Sequence, residues 1–140
     1  MARREEPEES VRDLLRRRGA PDWVVSGGLA GLVESWEKTV AEIEGGYKLG
    51  VDDYLNDLDG RQLLEDAWGA ANDAQRSRLK SRLKAADDRA RAALIATERC
   101  LWGADVARYH GWNAAAQWWY FMRPRSAGED LERELKDMGF

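Results

Sequence analysis

The stretch NDAQRSRLKSRLKAADDRARAALIATERCLW, residues 72–102, decides the fold class. Its apolar positions Leu79, Leu83, Ala86, Ala90, Leu94, Thr97 and Leu101 advance by 4, 3, 4, 4, 3 and 4 residues. The average, about 3.67, is the period of a nearly straight α-helix. It predicts one helix from about Asn72 to Trp102, roughly 45 Å long at 1.5 Å per residue. Alanines on its buried stripe would let neighbouring backbones approach closely.

The rest of the 140-residue chain agrees with a helical reading. Ala, Leu, Glu, Lys and Arg make up half of it, the composition of long helices. Only 11 residues are β-branched, too few to fill a sandwich, a barrel or a parallel sheet. Leu29, Leu32, Val33, Trp36, Val40, Ile43 and Tyr47 form one stripe of a second long amphipathic helix. Gly27, Gly28 and Gly31 weaken its first turn unless they serve close packing. Before it, Ser10 and Asp13 have capping-box spacing for a short helix with Val11, Leu14 and Leu15 inward, ending at Gly19. After it, Val51, Tyr54, Leu55 and Leu58 lead to Asp59-Gly60, where Asp59 and Gln62 predict a kink or a new helix carrying Leu63, Leu64, Ala67 and Trp68.

Trp112, Ala115, Trp119 and Met122 predict a further helix, stopped before Pro124. The last helix opens after Ser126-Ala127-Gly128, turns Leu131, Leu135 and Met138 inward, and ends with Gly139 and Phe140 placed for a Schellman cap. The expectation is an all-α, single-domain bundle of five or six helices over residues 8–140, preceded by a disordered segment, residues 1–7. No apolar run approaches a membrane span, and the N-terminal ten residues lack the apolar core of a signal peptide. A single cysteine, Cys100, forms no intramolecular disulfide and reads as a small core residue. These features point to a soluble cytoplasmic protein.

The net charge of −4 hides a division. Residues 34–73 carry eleven acids against three bases, and residues 74–125 eleven bases against four acids. Five bases, Arg76, Arg78, Lys80, Arg82 and Lys84, alternate along the predicted long helix. Either the acidic helices neutralise this stripe inside the bundle, or one face stays uncompensated and recruits a partner. An acidic face built from Asp52, Asp53, Asp57 and Asp59 would capture a basic protein. A basic stripe would bind nucleic acid or nucleotides, though the pI near 5.2 argues against a dedicated binder.

Seven aromatics fall between Trp102 and Phe121. On a helix Trp118 and Tyr120 would leave the Trp112–Trp119 stripe, towards a second neighbour or towards solvent. In the second case Trp118, Tyr120 and Arg123 are candidate anchors for a protein partner or a homodimer.

No catalytic set is evident. His110 is the one histidine, which excludes di-iron bundles, and phosphate loops, nucleophile elbows and Cys/His metal spacings are absent. Asp57-Leu58-Asp59-Gly60 fails the calcium-loop pattern at Leu55 and Gln62. Glu34-Ser-Trp-Glu37 resembles the magnesium-holding Glu-x-x-Glu of helical nucleotide pyrophosphatases. The matching Glu-x-x-Asp is missing, so Asp53 and Asp57 would have to substitute, and Glu34 lies on the wet side of its helix. The favoured expectation is therefore a non-enzymatic protein-binding module without cofactor or metal, analogous to antitoxins and immunity proteins, with anion binding by the basic stripe as the alternative.

Overall fold

The computed structural model describes residues 7–140 and contains six α-helices and one two-stranded sheet over that range. The helices are α1 (Pro7–Arg17), α2 (Asp22–Glu44), α3 (Val51–Ala70), α4 (Asp73–Ala93), α5 (Ala104–His110) and α6 (Glu129–Asp137). Strands β1 (Leu94–Ala96) and β2 (Met122–Pro124) are antiparallel, with Ile95 opposite Arg123. The all-α expectation holds, the small ribbon aside. No described helix is long and apolar enough to cross a membrane. The expected disordered segment lies outside the described residues, apart from Pro7, which begins α1.

Helix α2 lies against α1, α3 and α4, and its predicted stripe is buried from Leu29 to Ile43. Tyr47 is buried too, although the helix has ended at Glu44. The early glycines do not serve close packing, because a Cβ on Gly27, Gly28 or Gly31 would meet nothing within 4 Å. Gly28 instead kinks the helix at φ 59, ψ −154, a conformation open essentially to glycine alone. The kinked helix begins at Asp22, about two turns before the first stripe residue, Leu29.

Both predicted glycine terminators act as expected. Gly139 has φ +89, its N–H reaches Lys136 O at 3.0 Å, and Phe140 N reaches Leu135 O at 2.8 Å, the two bonds of a Schellman motif. Gly19 ends α1 in the same way, through Gly19 N to Arg16 O and Ala20 N to Leu15 O, both 3.0 Å. At the other end of α1, proline at the first helical position displaces the Ser10 cap expected from sequence. The Asp59-Gly60 break is also absent, since α3 runs through it uninterrupted. Gly60 costs about 1 kcal/mol in a helix interior, an amount the buried residues on both sides of it outweigh.

Two larger expectations are corrected. The long helix starts as predicted, with Asn72 and Gln75 in a reciprocal capping box, but ends at Ala93. Leu94–Ala96 turn extended to pair with Met122–Pro124, and the alignment continues through Thr97 N to Phe121 O and Leu101 N to Tyr120 O, both 2.8 Å. Leu94, Cys100 and Leu101 reach the core by this route, so their helical spacing was misleading. Likewise Trp112–Met122 is not an α-helix. Gly111 stops α5 in the left-handed conformation, Asn113 Oδ1 caps a single turn by accepting from the N–H groups of Ala115 and Ala116, and Trp118–Phe121 form a 3-10 turn.

The four elements α2, α3, α4 and the 3-10 turn meet at one buried ion pair. Arg61, 3% exposed, donates to Asp87 through Nε at 3.1 Å and Nη2 at 2.9 Å, and to Glu65 through Nη1 at 2.9 Å. Trp36 Nε1 donates to the same Asp87 at 2.8 Å, and the Trp119 ring lies 4.3 Å from the guanidinium carbon. Removing one partner leaves the other charged and buried, which costs about 3–5 kcal/mol. Arg61→Met and Asp87→Leu should therefore each lower stability by about that amount in urea unfolding, and a loss below about 1 kcal/mol would show the pair to be incidental.

Candidate functional site

The acidic and basic segments neutralise each other in part. Glu37 pairs with Arg82 and Glu44 with Arg89 across α2 and α4, and each arginine holds its glutamate below the usual carboxylate range, chiefly by hydrogen bonding. Arg76 donates to the Trp68 and Ala71 carbonyls at the end of α3, at 3.1 and 2.7 Å, while Lys84 pairs with Asp88. Of the proposed stripe only Arg78 and Lys80 are left exposed without an ion pair to a described residue. The Glu34–Glu37 pair is likewise engaged, Glu34 by Lys38 at 3.6 Å and Glu37 by Arg82. No group of three or more His, Cys, Asp or Glu among the described residues is placed to hold a metal ion.

The aromatic segment is mostly interior, so Trp118 and Tyr120 are not surface anchors. Trp118 is 8% and Tyr120 1% exposed. The 3-10 turn lies across the bundle and meets neighbours on several sides, which removes the helical constraint that four successive rings cannot all be covered. Trp118 packs on Trp36 and under Arg91, Trp119 covers Arg61, and Tyr120 stacks on Trp112 at 4.1 Å. Arg123 is also internal, bound to Glu132 and to the carbonyls of Pro124 and Phe140, and it secures the C-terminus.

Among the four acids proposed on α3, Asp52 and Asp53 are exposed, and Asp57 is half-buried, accepting from Tyr47 Oη at 2.6 Å. Asp59 is where surface and aromatic segment join. Its Oδ1 accepts from Tyr120 Oη at 2.6 Å and from Trp102 Nε1 at 3.1 Å. Burial first, and this hydrogen bond second, push the Tyr120 phenol above its ordinary range.

Asp59 lies between two neighbouring hollows that share Pro21, Val24 and Leu63. The larger, about 640 Å³, is walled by Trp102, Val106, Trp112 and Tyr120 and carries Asp59 and Asp66. The smaller, about 380 Å³, runs along α3 past Asn56 and Asp57 and is bordered by Trp23. His110 extends the Tyr120–Trp112 stack, lying 4.3 Å from Trp112 at 13°. Three of the rings around this surface stand open: Trp23 is 73%, Trp102 39% and Tyr109 86% exposed. Sequence reasoning placed none of these three as anchors. Trp23 precedes the apolar stripe of α2, so its lack of a helical partner was the available signal.

No protein-family model, curated protein or solved structure matches the chain. The chemistry of this surface therefore rests on its own residues.

Asp57 makes one part of it testable. Burial, helped by the nearby Asp53, raises the Asp57 carboxyl above the usual aspartate range against the opposing Tyr47 hydrogen bond. A folded pKa above the unfolded one contributes stability fully below the unfolded value and loses it as pH rises through the folded value. Asp57→Asn keeps an oxygen for Tyr47 but removes the charge. Its stability relative to the parent should rise as pH increases from the unfolded aspartate value of about 3.9, measured by urea titration at each pH, and a flat or falling difference would contradict the assignment.

Proposed function

We propose that the chain is a non-enzymatic protein-binding module that docks a basic partner on the acidic, aromatic-edged surface of α3. The observation that carries this reading is the arrangement around Asp59. Two adjoining hollows present Asp57, Asp59 and Asp66; Trp23 and Trp102 stand exposed on their linings, and Tyr109 stands exposed against His110, which lines the larger one. Exposed large rings beside clustered charge of one sign are the composition of binding hot spots. Of the acids and anchors expected from sequence, Asp59 stays central, while Trp23, Trp102 and Tyr109 take over from Trp118, Tyr120 and Arg123. Masking or inhibition of the partner, as antitoxins and immunity proteins do, is the mode we favour, by analogy alone. The buried, unpaired Cys100 thiol, raised by burial, suits a reducing compartment such as the cytoplasm.

The competing reading, anion binding on α4, has Arg78 and Lys80 as its support. Two free bases attract phosphates less than five, because each neutralised phosphate adds about one unit to the salt dependence.

Affinity capture from native lysate, with nuclease and with a Trp23→Ala/Tyr109→Ala variant in parallel, tests the proposal. Both rings are exposed, so the variant should fold within about 0.5 kcal/mol of the parent. The reading expects a stoichiometric protein that survives nuclease and falls at least ~10-fold on the variant. Material that vanishes with nuclease, or a protein retained equally by the variant, would overturn it.

A further inference from the structure

We propose that the larger hollow is a receptor for one arginine side chain of the partner, whose guanidinium packs against the open Trp102 ring to meet Asp59. The inference rests on the protein-binding reading and names the chemistry that the surface selects.

Asp59 uses Oδ1 for both of its internal partners, and Oδ2 has no partner among the described residues. Gln62 donates through Nε2 to Asp66 at 3.1 Å, while its Oε1 is buried with no partner. Asp66 adds a second carboxylate. The hollow thus offers Asp59 Oδ2 as an unused acceptor and negative charge beside the partly exposed Trp102 ring, and the one Lys or Arg among its lining residues is Arg18. A ligand that answers this must be cationic, rich in donors and planar. Guanidinium meets all three terms, with five N–H donors in a fixed fork and a face that stacks on rings; an ammonium meets only the first two.

The chain itself supplies a precedent at the mouth. Arg18 Nη1 lies 2.9 Å from Asp66 Oδ2, with its side chain half exposed. This internal guanidinium covers Asp66, leaves Asp59 open, and competes by charge with an incoming one. Two substitutions therefore act in opposite directions. Arg18→Ala frees Asp66 and tightens binding. Asp59→Asn keeps Oδ1 for Tyr120 and Trp102 but cancels the charge, and weakens it.

The experiment is a titration of the full chain with N-acetyl-arginine amide at constant ionic strength, reading the indole N–H signals of the tryptophans by NMR. N-acetyl-lysine amide is the control of equal charge. The expected result is a saturable shift of the Trp102 signal, at least ~5-fold stronger for arginine than for lysine, tightened ~3-fold or more in Arg18→Ala and weakened ~5-fold or more in Asp59→Asn. Shifts that do not saturate, that match those of lysine, or that neither substitution moves would overturn the assignment. A captured protein partner together with a failed titration removes this inference alone. A positive titration with no captured partner keeps the guanidinium receptor and removes the protein-binding reading beneath it.

Discussion

The rest of the structure turns on the Arg61–Asp87 pair, buried between the Trp36 and Trp119 rings. Arg61 stands on the acid-rich helix and Asp87 on the basic one, so the pair reverses the charge pattern of the segments that hold it. Taking two charges out of water is costly, and the gain here depends on geometry. Asp87 receives three donors, and the guanidinium has a ring packed on it. Such a pair is satisfied in one arrangement only, which fixes how α2, α3 and α4 sit against the aromatic turn.

That constraint also sets the surface. At about 100° per residue, a helix with Arg61 pinned inward projects Asn56, Asp59, Leu63 and Asp66 within about 40° of the opposite direction. These are residues of the two hollows. The aromatic segment links the two sides of α3. Trp119 closes over Arg61 inside, the next residue, Tyr120, sends its hydroxyl to Asp59, and Trp112 and His110 carry the stack outward. A rigid core feature thereby preorganises a polar and aromatic surface, and side chains already ordered lose less entropy when a partner binds.

Elements governed by local periodicity and capping were legible in the sequence. The apolar stripe of α2, the start of α4 at Asn72 and the endings at Gly19 and Gly139 follow from neighbours a few residues away. Pairings between distant segments were not. Leu94 and Leu101 keep a helical spacing that β1 and the loop after it satisfy differently, and the partner strand that wins lies about thirty residues further on. The rings of 118–120 looked too many for one core because a helical geometry was assumed; a 3-10 turn crossing the bundle buries all three. On the candidate site, Asp59 was legible as an acid on an exposed face, whereas its bonds to Trp102 and Tyr120, 43 and 61 residues away, were not. Within the basic stripe, the pairing of Arg82 with Glu37, 45 residues back, was hidden for the same reason.

Hydrogen exchange of the chain with and without the protein it retains tests the central claim most directly, because it locates the docking surface without assuming which side chains anchor it. The account predicts slowed exchange confined to residues 20–25, the central part of α3 and residues 102–112. Protection centred on the exposed flank of α4 around Arg78 and Lys80, with α3 unchanged, would contradict it.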